Sequence, residues 1–298
     1  MFRTIRQLSK TPANPKKQRF LSGLLVFWSS GLQPAIKMAI DRNLEGQHAI
    51  VTGGSRGIGA AIATALASRG ASITLMARSI GDLRAHAAEI GELGGPVQVL
   101  ECNVADEASV ERAFERAEAG FGAAQILVNN AGTAKSAKFL ATSRAMWDQM
   151  IGVNLTGTYL CTARALPAML AAKNGRIVNI ASTAGLRGYK TMTAYCAAKH
   201  GVIGFTRALA LETAKAGVTV NAVCPGYTDT ELTDSAVDNI VNALGKTATE
   251  ARAMLVGIIP RGVMTTPNEV AAAVAWLCAP GSGAITGIAL PVAGGEVT

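Results

Sequence analysis

Short apolar runs rich in β-branched residues alternate with amphipathic stretches of helical spacing along most of the chain. Runs bounded by Gly, Pro, Asn or Asp are typical of buried strands. Strands are predicted at residues 47–52, 72–77, 97–101, 126–129, 176–181 and 218–223. Helices are predicted from the glycines after the first strand to about residue 69, and at 81–94, 107–119, 146–172 and 193–213. This alternation predicts an α/β fold with one doubly wound, Rossmann-like parallel sheet of about seven strands and helices on both faces.

The first 37 residues differ in composition from the rest of the chain. They hold seven of the 28 Lys and Arg residues and neither Asp nor Glu. Their apolar run from Phe20 to Leu32 is too short to span a bilayer comfortably. A signal peptide, an organelle presequence and a true start at Met38 all suit this pattern. We interpret residues 1–37 as a basic extension outside the fold and residues 38–298 as the folded domain.

The net charge of +8 comes mainly from that extension. Residues 38–298 carry 21 basic against 20 acidic residues, so the domain is nearly neutral and shows no basic stripe for nucleic acid. A hydrophobic content of 49% and a charged content of 16% supply material for a large core. The five cysteines are widely spaced without a C-x-x-C pair, and the three histidines are scattered. This argues for a reducing compartment and against disulfides or a metal site.

A glycine-rich turn follows the first predicted strand. Residues 52–59 read Thr-Gly-Gly-Ser-Arg-Gly-Ile-Gly, and glycines at 53, 57 and 59 allow the backbone to approach a pyrophosphate at a helix N-terminus. The spacing differs from the commonest dinucleotide pattern, and a glycine-rich turn is often only a turn. The position between a strand and a helix favours a dinucleotide site that also includes Ser55 and Ile58.

The end of the second predicted strand bears on the choice of cofactor. An acidic residue there would bind a ribose 2′-hydroxyl, but Ala77 and Arg78 occupy the place, and Arg56 can reach the same corner. Two guanidinium groups suit a 2′-phosphate, which they bind through charge-assisted hydrogen bonds. NADP(H) is therefore favoured, with NAD(H) left open. Because such a cofactor is made inside cells, we expect a cytoplasmic protein, with organelle import through residues 1–37 also left open.

Four polar residues of the second half are candidates for chemistry. Tyr195 and Lys199 project from one face of a predicted helix, where an ammonium would lower the pKa of the phenol. An isolated pair of this kind is more often a half-buried Tyr beside an exposed Lys. Ser182 follows a predicted strand, where it either donates to a substrate carbonyl or bonds its own turn. Asn154 lies among apolar neighbours in a predicted helix, where an Asn usually faces solvent or has a partner.

These residues occur in the order and approximate spacing of a known family. The chain from about residue 44 to 295 resembles the short-chain dehydrogenases/reductases, and among them enzymes acting on 3-oxoacyl or 3-hydroxyacyl thioesters. The matching segments are 52–59, Asn129–Gly132, Asn154, Ser182, Tyr195 to Lys199, Pro225–Gly226 and Gly294–Gly295. Asn103 and Ala293 depart from the family, in which many members have Asp at these places.

The resemblance implies reversible hydride transfer between NADP(H) and a carbonyl or secondary alcohol. It makes Tyr195 the acid/base and Ser182 the residue that positions the reacting oxygen. Lys199 would lower the Tyr195 pKa and hold the nicotinamide ribose, while Asn154 would hold a water of the proton relay. The implied cofactor-binding residues are Gly53, Ser55, Arg56, Gly57, Ile58, Gly59, Arg78, Asn103, Val104, Asn130, Ala131, Gly132, Tyr195, Lys199, Pro225, Gly226 and Thr228.

Residues 227–265 stand where the family builds its substrate lid, and helical pieces are predicted there at 230–244 and 247–257. The implied substrate is a ketone such as a 3-oxoacyl thioester of CoA or of a carrier protein. The carrier has a phosphorylated arm, and the candidates to contact that arm are Arg187, Lys190 and Arg261. The alternatives are an NAD-dependent 3-hydroxyacyl or secondary-alcohol dehydrogenase and a nucleotide-binding scaffold without turnover. The resemblance also suggests a homotetramer or homodimer through helices 146–172 and 193–213, whose apolar faces equally suit plain core.

Overall fold

Seven parallel strands form a single sheet in the computed structural model, which describes residues 42–92 and 94–297. The strands are β1 (His48–Thr52), β2 (Ser72–Ala77), β3 (Val97–Glu101), β4 (Ile126–Asn129), β5 (Gly175–Ile180), β6 (Val218–Pro225) and β7 (Ala289–Val292). Their spatial order is β3-β2-β1-β4-β5-β6-β7. The order reverses between β1 and β4, which opens a crevice at the carboxyl ends of the strands, where ligands bind in such sheets. The predicted fold class is confirmed.

Helices cover both faces of the sheet. They are α1 (Gly57–Ala67), α2 (Ile80–Glu92), α3 (Glu107–Phe121), α4 (Arg144–Ile151), α5 (Gly157–Ala172), α6 (Thr193–Thr213), α7 (Glu231–Leu244), α8 (Ala248–Val256) and α9 (Pro267–Cys278). On one face Leu66 of α1 and Val274 of α9 join a buried cluster. Phe114 of α3 and Cys161 of α5 join a second cluster. The central strand β1 is buried along its whole length, as expected for a parallel sheet covered on both sides.

The prediction of a single long helix at 146–172 is wrong. A π-helical segment, Gly152–Thr156, interrupts it between α4 and α5. The side-chain amide of Asn154 donates to the Met150 carbonyl at 2.9 Å, an acceptor that α-helical geometry would assign to the backbone N–H of Asn154. The extra residue in this turn directs Asn154 into the protein, where it is 1% exposed. Segments of this kind are frequent at functional sites.

The segment 227–265 contains the two predicted helices as α7 and α8. Its apolar side chains form a small cluster of their own, which includes Val237, Leu255 and Ile259. The predicted extension at residues 1–37 lies outside the described residues. Within the described residues, no helix is long and apolar enough to cross a membrane.

Candidate active site

A groove of about 780 Å³ runs along the carboxyl ends of the strands, at the crevice beside β1 and β4. Every residue predicted to bind the cofactor or to take part in catalysis lines this groove. These residues come from the glycine turn, the ends of β2 to β6, the π segment and α6. The parallel sheet therefore brings together side chains that are more than 170 positions apart in the chain, from Gly53 to Thr228.

The glycine turn between β1 and α1 is packed too tightly for side chains. A Cβ at Gly59 would lie 2.1 Å from the carbonyl oxygen of Gly53, and one at Gly53 would lie 2.9 Å from the Cα of Ala131. Gly53 and Gly57 also have positive φ angles of 65° and 55°, which favour glycine. The close packing keeps the backbone at the groove surface, where the predicted pyrophosphate contact requires it.

The N-terminus of α1 fits a phosphate group. Its N-cap residue, Arg56, has an extended backbone and makes no side-chain hydrogen bond to the first turn, and that turn holds no acidic residue. The first N–H groups of a helix lack partners within the helix and carry partial positive charge, so they attract anions. In contrast, α8 and α9 begin with complete capping boxes. The groove and its uncapped helix thus suit the diphosphate of a dinucleotide.

Two carboxylates reach the corner that was predicted to hold a 2′-phosphate. Arg56 forms an ion pair with Glu231, the first residue of α7, and both side chains are about two-thirds exposed. Asp82 of α2 lines the same groove and also lines a small pocket with Arg56 and Glu231. The sequence showed no carboxylate next to Ala77, and Glu231 was missed because it lies more than 150 residues further along the chain. Only the packing of α7 over the groove brings it to Arg56.

The segment after β4 holds the glycine turn in place through hydrogen bonds from Asn130. The Asn130 side-chain amide donates to the carbonyl oxygens of Thr52 and Gly53, both at 3.0 Å. The Asn130 backbone N–H in turn donates to the Thr52 hydroxyl at 3.0 Å. Asn130 therefore holds the turn, while Ala131 and Gly132 line the groove beside it.

The residues after β3, among them Asn103 and Val104, line another part of the groove. The Asn103 side-chain oxygen accepts a hydrogen bond from the N–H of Ala105 at 3.2 Å, so the residue shapes its own turn. Val104 is buried against Gly157 of α5, where a Cβ would come within 2.8 Å of it.

The four catalytic candidates meet at the other end of the groove. Tyr195 and Lys199 are 9% and 4% exposed, so the pair is buried and the half-exposed alternative is wrong. The Lys199 Nζ donates to the Ile180 carbonyl at 2.8 Å and lies 5.7 Å from the centre of the Tyr195 ring. Ser182 Oγ accepts from the Ala184 N–H at 3.1 Å, and the Ser182 hydroxyl is also hydrogen-bonded to the Tyr195 phenol.

Asn154 is held in place by three hydrogen bonds. Its amide donates to the carbonyls of Thr133 and Met150, both at 2.9 Å, and its oxygen accepts from the Thr133 N–H at 3.2 Å. Gly132 lies between Asn154 and Lys199, since a Cβ there would be 2.9 Å from the Asn154 Oδ1 and 3.7 Å from the Lys199 Nζ. The π segment thus places the Asn154 amide in the part of the groove that also holds Lys199.

Burial sets the ionisation of the catalytic pair. It raises the pKa of the Tyr195 phenol to about 12, although a hydrogen bond with Ser182 acts in the opposite direction. It also lowers the pKa of the Lys199 ammonium to about 8. The predicted lowering of the Tyr195 pKa by Lys199 does not appear in this arrangement, because desolvation is the largest effect on the phenol and raises its pKa. At neutral pH the phenol is protonated and can donate.

Two of the three cations suggested for a carrier arm already have carboxylate partners. Arg187 pairs with Glu296 at 2.9 Å, and Arg261 pairs with Glu269. Lys190 is exposed. The Glu296 side chain is fully buried, and Glu296 was not among the residues predicted to have a role. A lone Glu near a C-terminus has no pattern that marks it as buried, so only the structure could reveal it.

The five cysteines are buried and unpaired. Among residues 42–92 and 94–297, no cluster of three or more His, Cys, Asp or Glu side chains could hold a metal ion.

The chain is similar to known reductases over most of its length. It is 40% identical over 253 residues to the 3-oxoacyl-[acyl-carrier-protein] reductase of Vibrio harveyi, covering 85% of this chain and 98% of that protein. It is 38% identical over 257 residues to the D-beta-hydroxybutyrate dehydrogenase of Cupriavidus necator, covering 85% and 99%. A crystal structure of a variant actinorhodin polyketide ketoreductase with NADPH superimposes with a TM-score of 0.82 at 37% identity, covering 84% of this chain and 97% of that one.

The family model described as short chain dehydrogenase matches residues 47–240, from β1 into α7. This range holds the glycine turn, the π segment, Ser182 and the Tyr195–Lys199 pair. The chain therefore belongs to the short-chain dehydrogenase/reductase family.

Proposed function

We propose that the chain is an NADPH-dependent reductase of 3-oxoacyl thioesters or similar ketones. The observation that carries this proposal is the groove itself, which joins an uncapped helix N-terminus to a buried, protonated phenol beside a buried lysine. One end suits a dinucleotide phosphate and the other suits proton transfer to an oxygen. The comparisons point the same way, since a solved ketoreductase that resembles this chain contains NADPH.

NADPH, when bound, supplies a hydride to the carbonyl carbon, and the protein binds, orients and protonates. The glycine turn and the first turn of α1 would hold the diphosphate. Arg56 and Arg78 would bind the 2′-phosphate, which requires Arg56 to exchange Glu231 for the phosphate. Lys199 would hold the nicotinamide ribose.

Tyr195 is the proton donor in this proposal. Its raised pKa keeps the proton on the phenol at neutral pH, so it can pass to the carbonyl oxygen as negative charge develops there. Ser182 would use its hydroxyl, which is bonded to Tyr195 here, to orient that oxygen. Lys199 stabilises the phenolate left behind, and Asn154 would hold the water through which Tyr195 regains a proton.

The substrate class rests on the relatives and on the segment 227–265. The Vibrio harveyi relative acts on an acyl-carrier-protein thioester by its name, which supports a thioester of a carrier protein or CoA for this chain. In this chain α7 lines the groove with Leu232, Thr233 and Ser235, as a substrate lid would.

An oxidative, NAD-dependent hydroxyacyl or alcohol dehydrogenase is the second candidate. The Cupriavidus necator relative is named as a hydroxybutyrate dehydrogenase, and Glu231 and Asp82 place negative charge near the proposed phosphate corner. A scaffold without turnover is disfavoured because the four catalytic candidates are all present and lie in one groove.

The decisive experiment is a panel of ketones, 3-oxoacyl thioesters and the matching alcohols with both cofactors, followed at the nicotinamide absorbance band. We expect reduction of a 3-oxoacyl thioester with a clear preference for NADPH. A clear preference for NADH would overturn the assignment of Arg56 and Arg78, and turnover of alcohols alone would favour the second candidate.

A further inference from the structure

Glu296 places a buried carboxylate beside the loop that joins Ser182 to Tyr195. Its side chain is 0% exposed. Its Oε1 accepts a hydrogen bond from Nη2 of Arg187 at 2.9 Å and another from the hydroxyl of Tyr189. The Arg187 guanidinium also lies over the Tyr189 ring, 4.7 Å from its centre. One carboxylate thus holds two side chains of this loop.

The contact extends to the residue next to Ser182. The Tyr189 hydroxyl lies 2.8 Å from Oγ1 of Thr183. Since a phenol has one proton and a carboxylate is the stronger acceptor, Tyr189 donates to Glu296 and accepts from Thr183. We call Thr183, Arg187, Tyr189 and Glu296 the C-terminal latch.

The opposite side of Glu296 faces the groove wall and the proposed lid. Its Oε2 has no hydrogen-bond partner among the described residues, and it would lie 2.7 Å from a Cβ at Gly226, which lines the groove. The neighbouring Gly294 carbonyl accepts from the Arg261 N–H at 3.0 Å. The C-terminal segment therefore connects the loop after β5 with the end of β6 and with the segment after α8.

This arrangement suits a positioning role better than a stabilising one. The Arg187–Glu296 ion pair contributes little net stability, because Arg187 stays 42% exposed to solvent while the buried carboxylate loses its hydration. Its charge-assisted hydrogen bonds nevertheless restrict the geometry of the groups they join. The loop that they restrict, residues 183–192, has Ser182 at one end and leads at the other into α6, where Tyr195 lies in the first turn.

We propose that Glu296 is a positioning residue for carbonyl reduction. Through the C-terminal latch it fixes the loop that places Ser182 beside Tyr195. The inference rests on the proposed function for its kinetic consequence. The contact itself does not depend on the substrate.

The test compares the Glu296→Gln variant with the wild-type protein, both as the full-length chain. The variant keeps the size of the side chain and loses its charge, so we expect kcat for ketone reduction to fall about tenfold while the NADPH dissociation constant stays within about twofold. Hydrogen–deuterium exchange of peptides covering 182–192 should become faster. Tyr189→Phe should act in the same direction, and the double variant should lose no more than the worse single variant, because both break one network.

The matched control is Glu269→Gln, which alters another Arg–Glu pair beside the C-terminal segment while Gln still serves the capping box of α9. It should leave kcat and exchange in 182–192 unchanged. A Glu296→Gln enzyme with kcat within about twofold of wild type contradicts the proposal, whatever its melting temperature. If the wild type reduces no ketone, the proposed function fails. The latch is tested separately by exchange, and a Glu296→Gln variant with unchanged exchange in 182–192 would overturn it.

Discussion

Tyr195 and Lys199 carry opposite pKa shifts that have one cause. Burial penalises the charged form of each group, which raises the pKa of the phenol to about 12 and lowers that of the ammonium to about 8. The phenol therefore keeps its proton across the working pH range, and Lys199 is the group that titrates within it.

Replacement of Tyr195 by Phe removes the proposed proton donor while keeping the ring. We expect kcat for reduction to fall by roughly a hundredfold to ten-thousandfold, the usual range for loss of a general acid. NADPH binding, measured by fluorescence titration, should be nearly unchanged and serves as the control for folding. Unaltered catalysis would sink the proposed mechanism.

The pH dependence of reduction should report Lys199. Below about pH 8 the ammonium is charged and can stabilise the phenolate that forms, whereas above that pH it loses its proton and this stabilisation. We expect kcat/KM to be level from about pH 6 and to fall above about pH 8, by up to tenfold per pH unit. A profile that stays level to about pH 10 would show that the charge of Lys199 is not required.

Glu231 should weaken the binding of NADPH because it occupies Arg56. Glu231→Gln removes that competition, so we expect NADPH to bind about two to five times more tightly, with little change for NADH. Asp238→Asn, on the same helix, is the control. Equal gains for both cofactors would contradict a specific exchange between the carboxylate and the 2′-phosphate.

Individual strands and helices differ in how well their own residues predict them. The predicted bounds of β2, β3, β4 and α6 match the structure to the residue, and for the three strands a Gly, Pro or Asn within two residues marks at least one end. The π segment was missed because it depends on Asn154 bonding to Thr133, which lies 21 residues away after another strand. The spacing of apolar residues along a helix cannot predict such a contact.

The turn between β1 and α1 offers a test of packing at the level of an element. Gly59→Ala would place a Cβ 2.1 Å from the Gly53 carbonyl oxygen, so we expect a loss of about 1–3 kcal/mol in the free energy of unfolding and weaker NADPH binding. Gly81→Ala in α2 meets no atom within 4 Å and should be neutral or stabilising. Thermal unfolding compares the two, and equal melting temperatures would contradict the tight turn.

For the whole molecule, we propose assembly into a homotetramer or homodimer. Both helical regions implied in assembly carry exposed apolar side chains, with Tyr159 of α5 55% exposed and Leu211 of α6 83% exposed. Tyr159→Glu should therefore shift the mass measured by light scattering toward the monomer. Leu244→Glu, at an exposed site of α7, should leave it unchanged. A monomeric wild type would contradict the proposal.

The sequence by itself determined the strands, the glycine turn, the Tyr195–Lys199 spacing and hence the fold class, while most residues of the groove were implied by the resemblance to a family. The strands and the fold class follow from local periodicity and from the rule that parallel strands present their carboxyl ends at one edge. Only the tertiary structure decided that Tyr195 and Lys199 are both desolvated, that Glu231 reaches Arg56, and that Glu296 is buried against Arg187 and Tyr189. The two charge pairs join residues more than a hundred positions apart. Such pairing, like the burial of Tyr195 and Lys199, arises only when the helices pack on the sheet.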